Sequence, residues 1–145
     1  MLTASTPDLA LAEAYLESDP RARVHPAFPI NCFTGAEHTA VVYFEVLPGD
    51  YLPTHTDSAE EILYIVAGEG EAHAGSERGT VRAGDLAVIP AMVPHGIRNT
   101  GAETLKVVGF FTESEIVSTF AEPIQPIGLS SVTQGAPAPA EVARP

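Results

Sequence analysis

Residues 49–70 read GDYLPTHTDSAEEILYIVAGEG, and residues 84–99 read GDLAVIPAMVPHGIRN. The first stretch packs His55, Asp57, Glu60 and Glu61 directly ahead of the apolar run ILYIV. Side chains two apart on a strand share a face, so His55 and Asp57 point the same way. In the second stretch His95 opens another apolar run of strand type, which can cross the same interior. Imidazoles and carboxylates converging from different strands are the mixed N/O donors that first-row transition metals take. Two histidines and one carboxylate with open positions are also the facial arrangement of non-haem iron oxygenases.

Working outward, the flanking text is built from the same short units. VVYFEV, TVRA, DLAVIP and TLKVVGFF are rich in β-branched and aromatic residues. Turn signals separate them: PGD at 48–50, AGSERG at 74–79, RAGD at 82–85 and NTGAE at 99–103. Many short strands with little helix predict an all-β sandwich or barrel, placed here at residues 22–122. Residues 1–21 are expected to form a helical arm. In TPDLALAEAYLES (6–18), Thr6 suits the N-cap, Pro7 the first helical position and Asp8 the helix dipole. Residues 123–145 are rich in Pro, Ala, Ser and Gly and are expected to be a low-complexity tail, flexible or laid along a neighbour.

The 145 residues suit one domain with a real core. With 45% hydrophobic and 18% charged residues, the chain reads as globular. Nineteen acidic against seven basic residues give a net charge of −12, which argues against nucleic-acid and anionic-membrane partners. Cys32 is the single cysteine, so no internal disulfide can form. That fits a reducing, cytoplasmic setting, as does the lack of a basic region followed by an apolar core at the N-terminus. No apolar run approaches the roughly 20 residues of a membrane span.

The two quoted stretches resemble the two motifs of the cupin superfamily. The first of these runs Gly, five residues, His-x-His, three or four residues, Glu, six residues, Gly. Gly49, His55, Glu61 and Gly68 match it in spacing. The second runs Gly, five residues, Pro-x-Gly, two residues, His, three residues, Asn, and is matched by Gly84, Pro90, His95 and Asn99. The resemblance covers roughly residues 40 to 112. It implies a small double-stranded β-helix, or jelly-roll barrel, holding a divalent transition metal (Fe, Ni, Mn, Cu or Zn) through His55, Glu61 and His95. Two positions depart from the pattern: Asp57 stands for the second histidine, and Met92 for the glycine of the second motif. Three arrangements are compatible with Asp57. It can ligate beside Glu61, replace Glu61 as the carboxylate ligand, or hold a ligand or water from behind the metal.

Strand parity extends the site. With His55, Asp57 and Glu61 inward, Leu63 and Ile65 follow, and His95 carries Ile97 and Asn99 with it. Val42, Phe44 and Val46 form one apolar face, and Phe110 or Phe111 closes the interior. Phe44, Leu63, Ile65, Ile97 and Asn99 are therefore the expected substrate pocket. His73 is expected to be structural or exposed, and Glu60 solvated. Arg78, Arg82, Arg98 and Lys106 have no evident inward register, which disfavours 2-oxoglutarate and diphosphate substrates. The expected ligand is a small, mostly neutral aromatic or enolizable molecule that chelates the metal through oxygen. Glu61 or Asp57 would take a proton from its hydroxyl. Among cupins these features resemble a quercetinase-like dioxygenase. The alternatives are a redox-neutral isomerase, cyclase or decarboxylase, or a non-catalytic small-molecule-binding module. A homodimer is expected from the resemblance and from the need to protect edge strands.

Overall fold

The computed structural model describes residues 1–137. Twelve strands follow one another: β1 (Ala14–Leu16), β2 (Asp19–Ile30), β3 (Ala40–Val46), β4 (Tyr51–Asp57), β5 (Glu61–Ala67) and β6 (Glu69–Ala74), then β7 (Glu77–Arg82), β8 (Leu86–Ile89), β9 (His95–Asn99), β10 (Leu105–Phe111), β11 (Val117–Ile124) and β12 (Leu129–Thr133). Nine of them lie in the order β7-β6-β9-β4-β2-β3-β10-β5-β8, with β1 on β2 and the β11–β12 pair on β4 off this path, and all but one of the nine strands' neighbours are antiparallel. The exception is the parallel touch of β2 on β4 at Ala22 and Tyr51, which joins the two halves of the curled sheet. The second half of β4 is flanked instead by β11, with Ser118 opposite Asp57 and Phe120 opposite His55. The result is the all-β jelly-roll barrel of the cupins.

Alternation decides which side chains fill the barrel. Along β5, Glu61, Leu63 and Ile65 are buried, while Ile62, Tyr64 and Val66 face out. Inward residues of both halves meet in one core: Val24, Val42, Phe44, Val46, Leu105 and Val107 pack with Leu63, Ile65 and Ile97. A turn at Gly68 depends on glycine. Its φ is +88°, and a Cβ there would lie 2.9 Å from the Leu105 backbone. Met92 holds the same left-handed conformation (φ 63°) without being glycine. The turn before β9 is thus kept at a strain cost of about 1 kcal/mol.

Both ends of the chain depart from expectation. Instead of a helix at 6–18, there is a single 3-10 turn at Thr6–Asp8, with Ser5 at the N-cap position but no side-chain cap, and then the extended strand β1. Helical pairing lost to sheet pairing here. Ala12 N–H donates to Pro26 O, Tyr15 N–H donates to Gln125 O, and the Tyr15 ring packs under Arg23. With β1 also paired to β2 through Ala14–Val24 and Tyr15–Arg23, the backbone of β2 is covered, whereas Leu11 stays exposed. At the other end, the segment expected to be a tail enters the sheet. Ile124 is buried at the end of β11, and β12 pairs with β11 along Thr119–Ser131 and its neighbours. Residues 138–145, the rest of that segment, lie outside the described residues.

Candidate metal centre

Three adjacent strands carry one wall of the site. In the middle strand β4, His55 lies opposite His95 of β9 on one side and Phe120 of β11 on the other. The two histidines are held alike. His55 Nδ1 lies 2.8 Å from Pro53 O, and His95 Nδ1 lies 2.9 Å from Val93 O. A carbonyl can only accept, so each Nδ1 carries the proton and donates it. That leaves both Nε2 atoms facing the interior, the ring positions through which a histidine can bind a metal. The Phe120 ring stacks on His55 at 4.9 Å between centroids, and the two imidazoles lie 4.3 Å apart.

Asp57 completes the cluster. Its Oδ2 is 3.1 Å from His95 Nε2 and 3.5 Å from His55 Nε2. Donor atoms of His55, Asp57 and His95 all lie within 4.8 Å of one another, and all three residues are buried. Glu61 reaches in from β5, on the opposite wall, with Oε1 3.5 Å from His95 Nε2. The close approach of Glu61 depends on Gly109 of β10, where a Cβ would strike the Glu61 carboxylate and come within 2.8 Å of Val42. Once their Nε2 protons are given up, two imidazole nitrogens and one or two carboxylates are a donor set that fits a divalent transition metal.

The two carboxyls are poised differently. Burial works to raise Asp57, but hydrogen bonds from His55, His95 and Ser118 outweigh it and hold the carboxyl well below the usual carboxylate range. Glu61 is pushed up, first by burial and also by the charge of Asp57, against the pull of His95. Burial opposes charge on His95, yet its bonds to Asp57 and Glu61 push the ring up to about 10.

A cavity of about 360 Å³ opens from this cluster. Phe44, Leu63, Ile65 and Ile97 line it, with Val42, Leu52 and Phe28. Asn99 does not, contrary to expectation. Parity does bury it, but at the far end of β9. There its side-chain amide donates to Val46 O and Glu103 O and accepts from Gly101 N–H, tying down the 99–103 turn. Of the two candidates for closing the interior, Phe111 is buried in the core, whereas Phe110 faces out. His73 was expected to be structural or exposed, but it lines the cavity, its Nε2 2.9 Å from Thr54 Oγ1. Arg78 reaches the cavity mouth beside Glu71, 3.5 Å away. Strand parity could not be carried across the turns that precede these two residues.

Sequence reasoning missed Ser118, Phe120 and Gln134, which line the cavity behind Asp57 and His55. The alternation of Ser118 and Phe120 in VSTFAEPI is readable only once β11 is known to pair with β4, and Gln134 follows β12.

Comparison with known proteins agrees with this geometry. The Cupin domain family matches residues 42–111. No curated protein sequence matches the chain. Among solved structures, an oxalate decarboxylase from Lactobacillus farciminis in complex with formate superposes with a TM-score of 0.64 at 24% identity, over 75% of this chain and 32% of that one. Oxalate decarboxylase OxdC from Bacillus subtilis, as an S161A mutant, gives 0.61 at 20% identity, over 68% of this chain and 28% of the other. The chain thus corresponds to about a third or less of either enzyme, and identities this low speak to the fold alone. No helix among the described residues is long and apolar enough to cross a membrane. The two motifs, the barrel they build and the family match over 42–111 place this chain among the small cupins.

Proposed function

We propose that this cupin is a metal-dependent enzyme acting on a small, mostly neutral aromatic or enolizable molecule. A quercetinase-like dioxygenase is the first assignment. The observation that carries it is the convergence of His55 Nε2, His95 Nε2 and Asp57 Oδ2 on a mostly apolar cavity. His55, Asp57 and His95 would hold the ion. When bound, the metal supplies Lewis acidity and, if redox-active, one-electron chemistry. Asp57 has both oxygens engaged, which suits a ligand better than a base. Glu61 faces it from the other wall and is the group to take a proton from a substrate hydroxyl. Phe44, Leu63, Ile65 and Ile97 exclude water around the reacting carbon.

Oxalate itself fits poorly. A small dianion calls for cations, and Arg78 at the mouth is the one Lys or Arg among the described lining residues. Decarboxylation of a larger, apolar oxo acid is the second reading, favoured by the decarboxylases that share the barrel. Elemental analysis of tag-free protein beside the His55→Ala/His95→Ala variant tests the metal. O₂ uptake and CO₂ release are then measured on flavonols, 1,3-diketones and β-oxo acids. O₂ uptake supports the dioxygenase, whereas CO₂ release without O₂ supports the decarboxylase. Inertness of the metal-loaded protein to every class, with tight binding of one, leaves a binding module.

A homodimer goes with this reading. Ile62, Tyr64, Val66, Leu86, Val88 and Phe110 are exposed on the outer face of β10, β5 and β8, where Phe110, Ile62 and Val88 form one cross-strand row. An apolar sheet face bordering an edge strand is a surface that a second copy would cover. Light scattering at micromolar concentration tests it, and a monomer there ends the idea.

A further inference from the structure

The carboxylate at position 57 does not stand alone on its wall. Ser118 Oγ lies 2.6 Å from Asp57 Oδ1, and Gln134 Nε2 lies 3.0 Å from Ser118 Oγ. An ionised carboxylate only accepts, so the single Ser118 proton must point at Asp57. The Ser118 oxygen is then free to accept from the Gln134 amide, and the whole chain runs in one direction. At 2.6 Å the last link is of charge-assisted length. All three side chains are buried, with exposures of 3% for Asp57, 6% for Ser118 and 8% for Gln134. Ser118 sits directly across the β11–β4 ladder from Asp57, and Gln134 is anchored by its own N–H on Ile116 O at 2.8 Å.

We propose that Ser118 and Gln134 are positioning residues that fix Asp57 as a metal ligand. This rests on the metal reading above. An Asp side chain is shorter than the histidine it replaces and can turn either oxygen toward the interior. Engaging Oδ1 from behind leaves Oδ2 as the atom facing His55 and His95. Both supports come from the C-terminal hairpin, beyond the residues that match the cupin family. That hairpin is therefore part of the site. The competing account is that Ser118 and Gln134 merely fasten the hairpin to the barrel. The two accounts differ in what happens to the metal.

The test is a Co(II) titration of the metal-stripped full chain, read by the visible ligand-field bands and paired with thermal melts. Ser118→Ala is expected to weaken Co(II) binding by about 10- to 100-fold and to alter the band positions, as lost support behind a ligand does. Ser118→Thr keeps the hydroxyl and should restore both. Gln134→Met, close in size but without the amide, should weaken binding less than Ser118→Ala. If Ser118→Ala does not fold, Gln134→Met decides. Unchanged affinity and spectrum in folded variants, with only a lower melting temperature, would overturn the proposal while leaving the metal site standing. Wild-type protein that takes up no Co(II) would overturn the metal reading and this inference with it.

Discussion

Asp57 and Glu61 are both buried carboxyls within reach of the same imidazole, yet the two walls treat them differently. On the β4 side, Asp57 collects hydrogen bonds from His55, His95 and Ser118, and stays ionised far into acid. On the β5 side, Glu61 has His95 as its neighbour and the bare backbone of Gly109 beneath it, and burial raises it. Donor count, not burial, separates them. A carboxyl held ionised by several donors suits metal ligation, while one pushed up by an apolar wall suits proton transfer.

The comparison breaks most visibly if the donors are removed. His55→Ala/His95→Ala should abolish stoichiometric metal binding, seen by elemental analysis after reconstitution. In metal-free protein, Asp57→Asn should destabilise by about 3 kcal/mol or more, because it takes the nearest counter-charge from the buried His95 imidazolium. Glu61→Gln should cost less than half of that in the same denaturant series. Equal costs would mean that the two walls are not distinct.

Gly109→Ala sharpens the contrast from behind. Its methyl group would push the Glu61 carboxylate out of place and press on Val42, costing about 1–3 kcal/mol. Chemical denaturation measures that cost, and Co(II) affinity should change far less than in Ser118→Ala.

The pH dependence has a definite sign. His95, raised from 6.5 to about 10, stabilises the metal-free fold below its unfolded value and loses that contribution as pH climbs between the two. Glu61, also raised, acts in the same direction from a lower starting point. Asp57, depressed, stabilises above its unfolded value of 3.8 and loses that contribution only as the pH falls well below it. The melting temperature of metal-free protein should therefore drop by several degrees from pH 6.5 to pH 10, and Asp57→Asn should flatten the slope. The smallest effect concerns the turn: Met92→Gly should relieve the left-handed strain and raise stability by about 0.5 kcal/mol, read from the denaturation midpoint.

Much of this was legible in the chain. The run of short strands predicted a sandwich or barrel, the resemblance of the His55, Glu61 and His95 frames to the cupin motifs implied the jelly roll, and period-two alternation turned Phe44, Leu63, Ile65 and Ile97 inward. The misreadings have one cause. TPDLALAEAYLES carries good helix signals, but β2 offered open backbone groups that sheet pairing could satisfy. Asn99 was given the right face, but a register along the strand that local pattern cannot supply.

The sequence by itself determined the all-β class, the two histidines and the apolar lining, because these follow from periodicity and from residue chemistry at short range. Only the tertiary structure decided which strands lie beside β4 and β5. The Ser118 and Gln134 supports, the stacked Phe120 and the backbone of Gly109 beneath Glu61 all depend on that pairing. They come from segments about 50 to 80 residues away along the chain from Asp57 and Glu61, and pairing across such distances is set by the closure of the whole barrel, which no local pattern encodes.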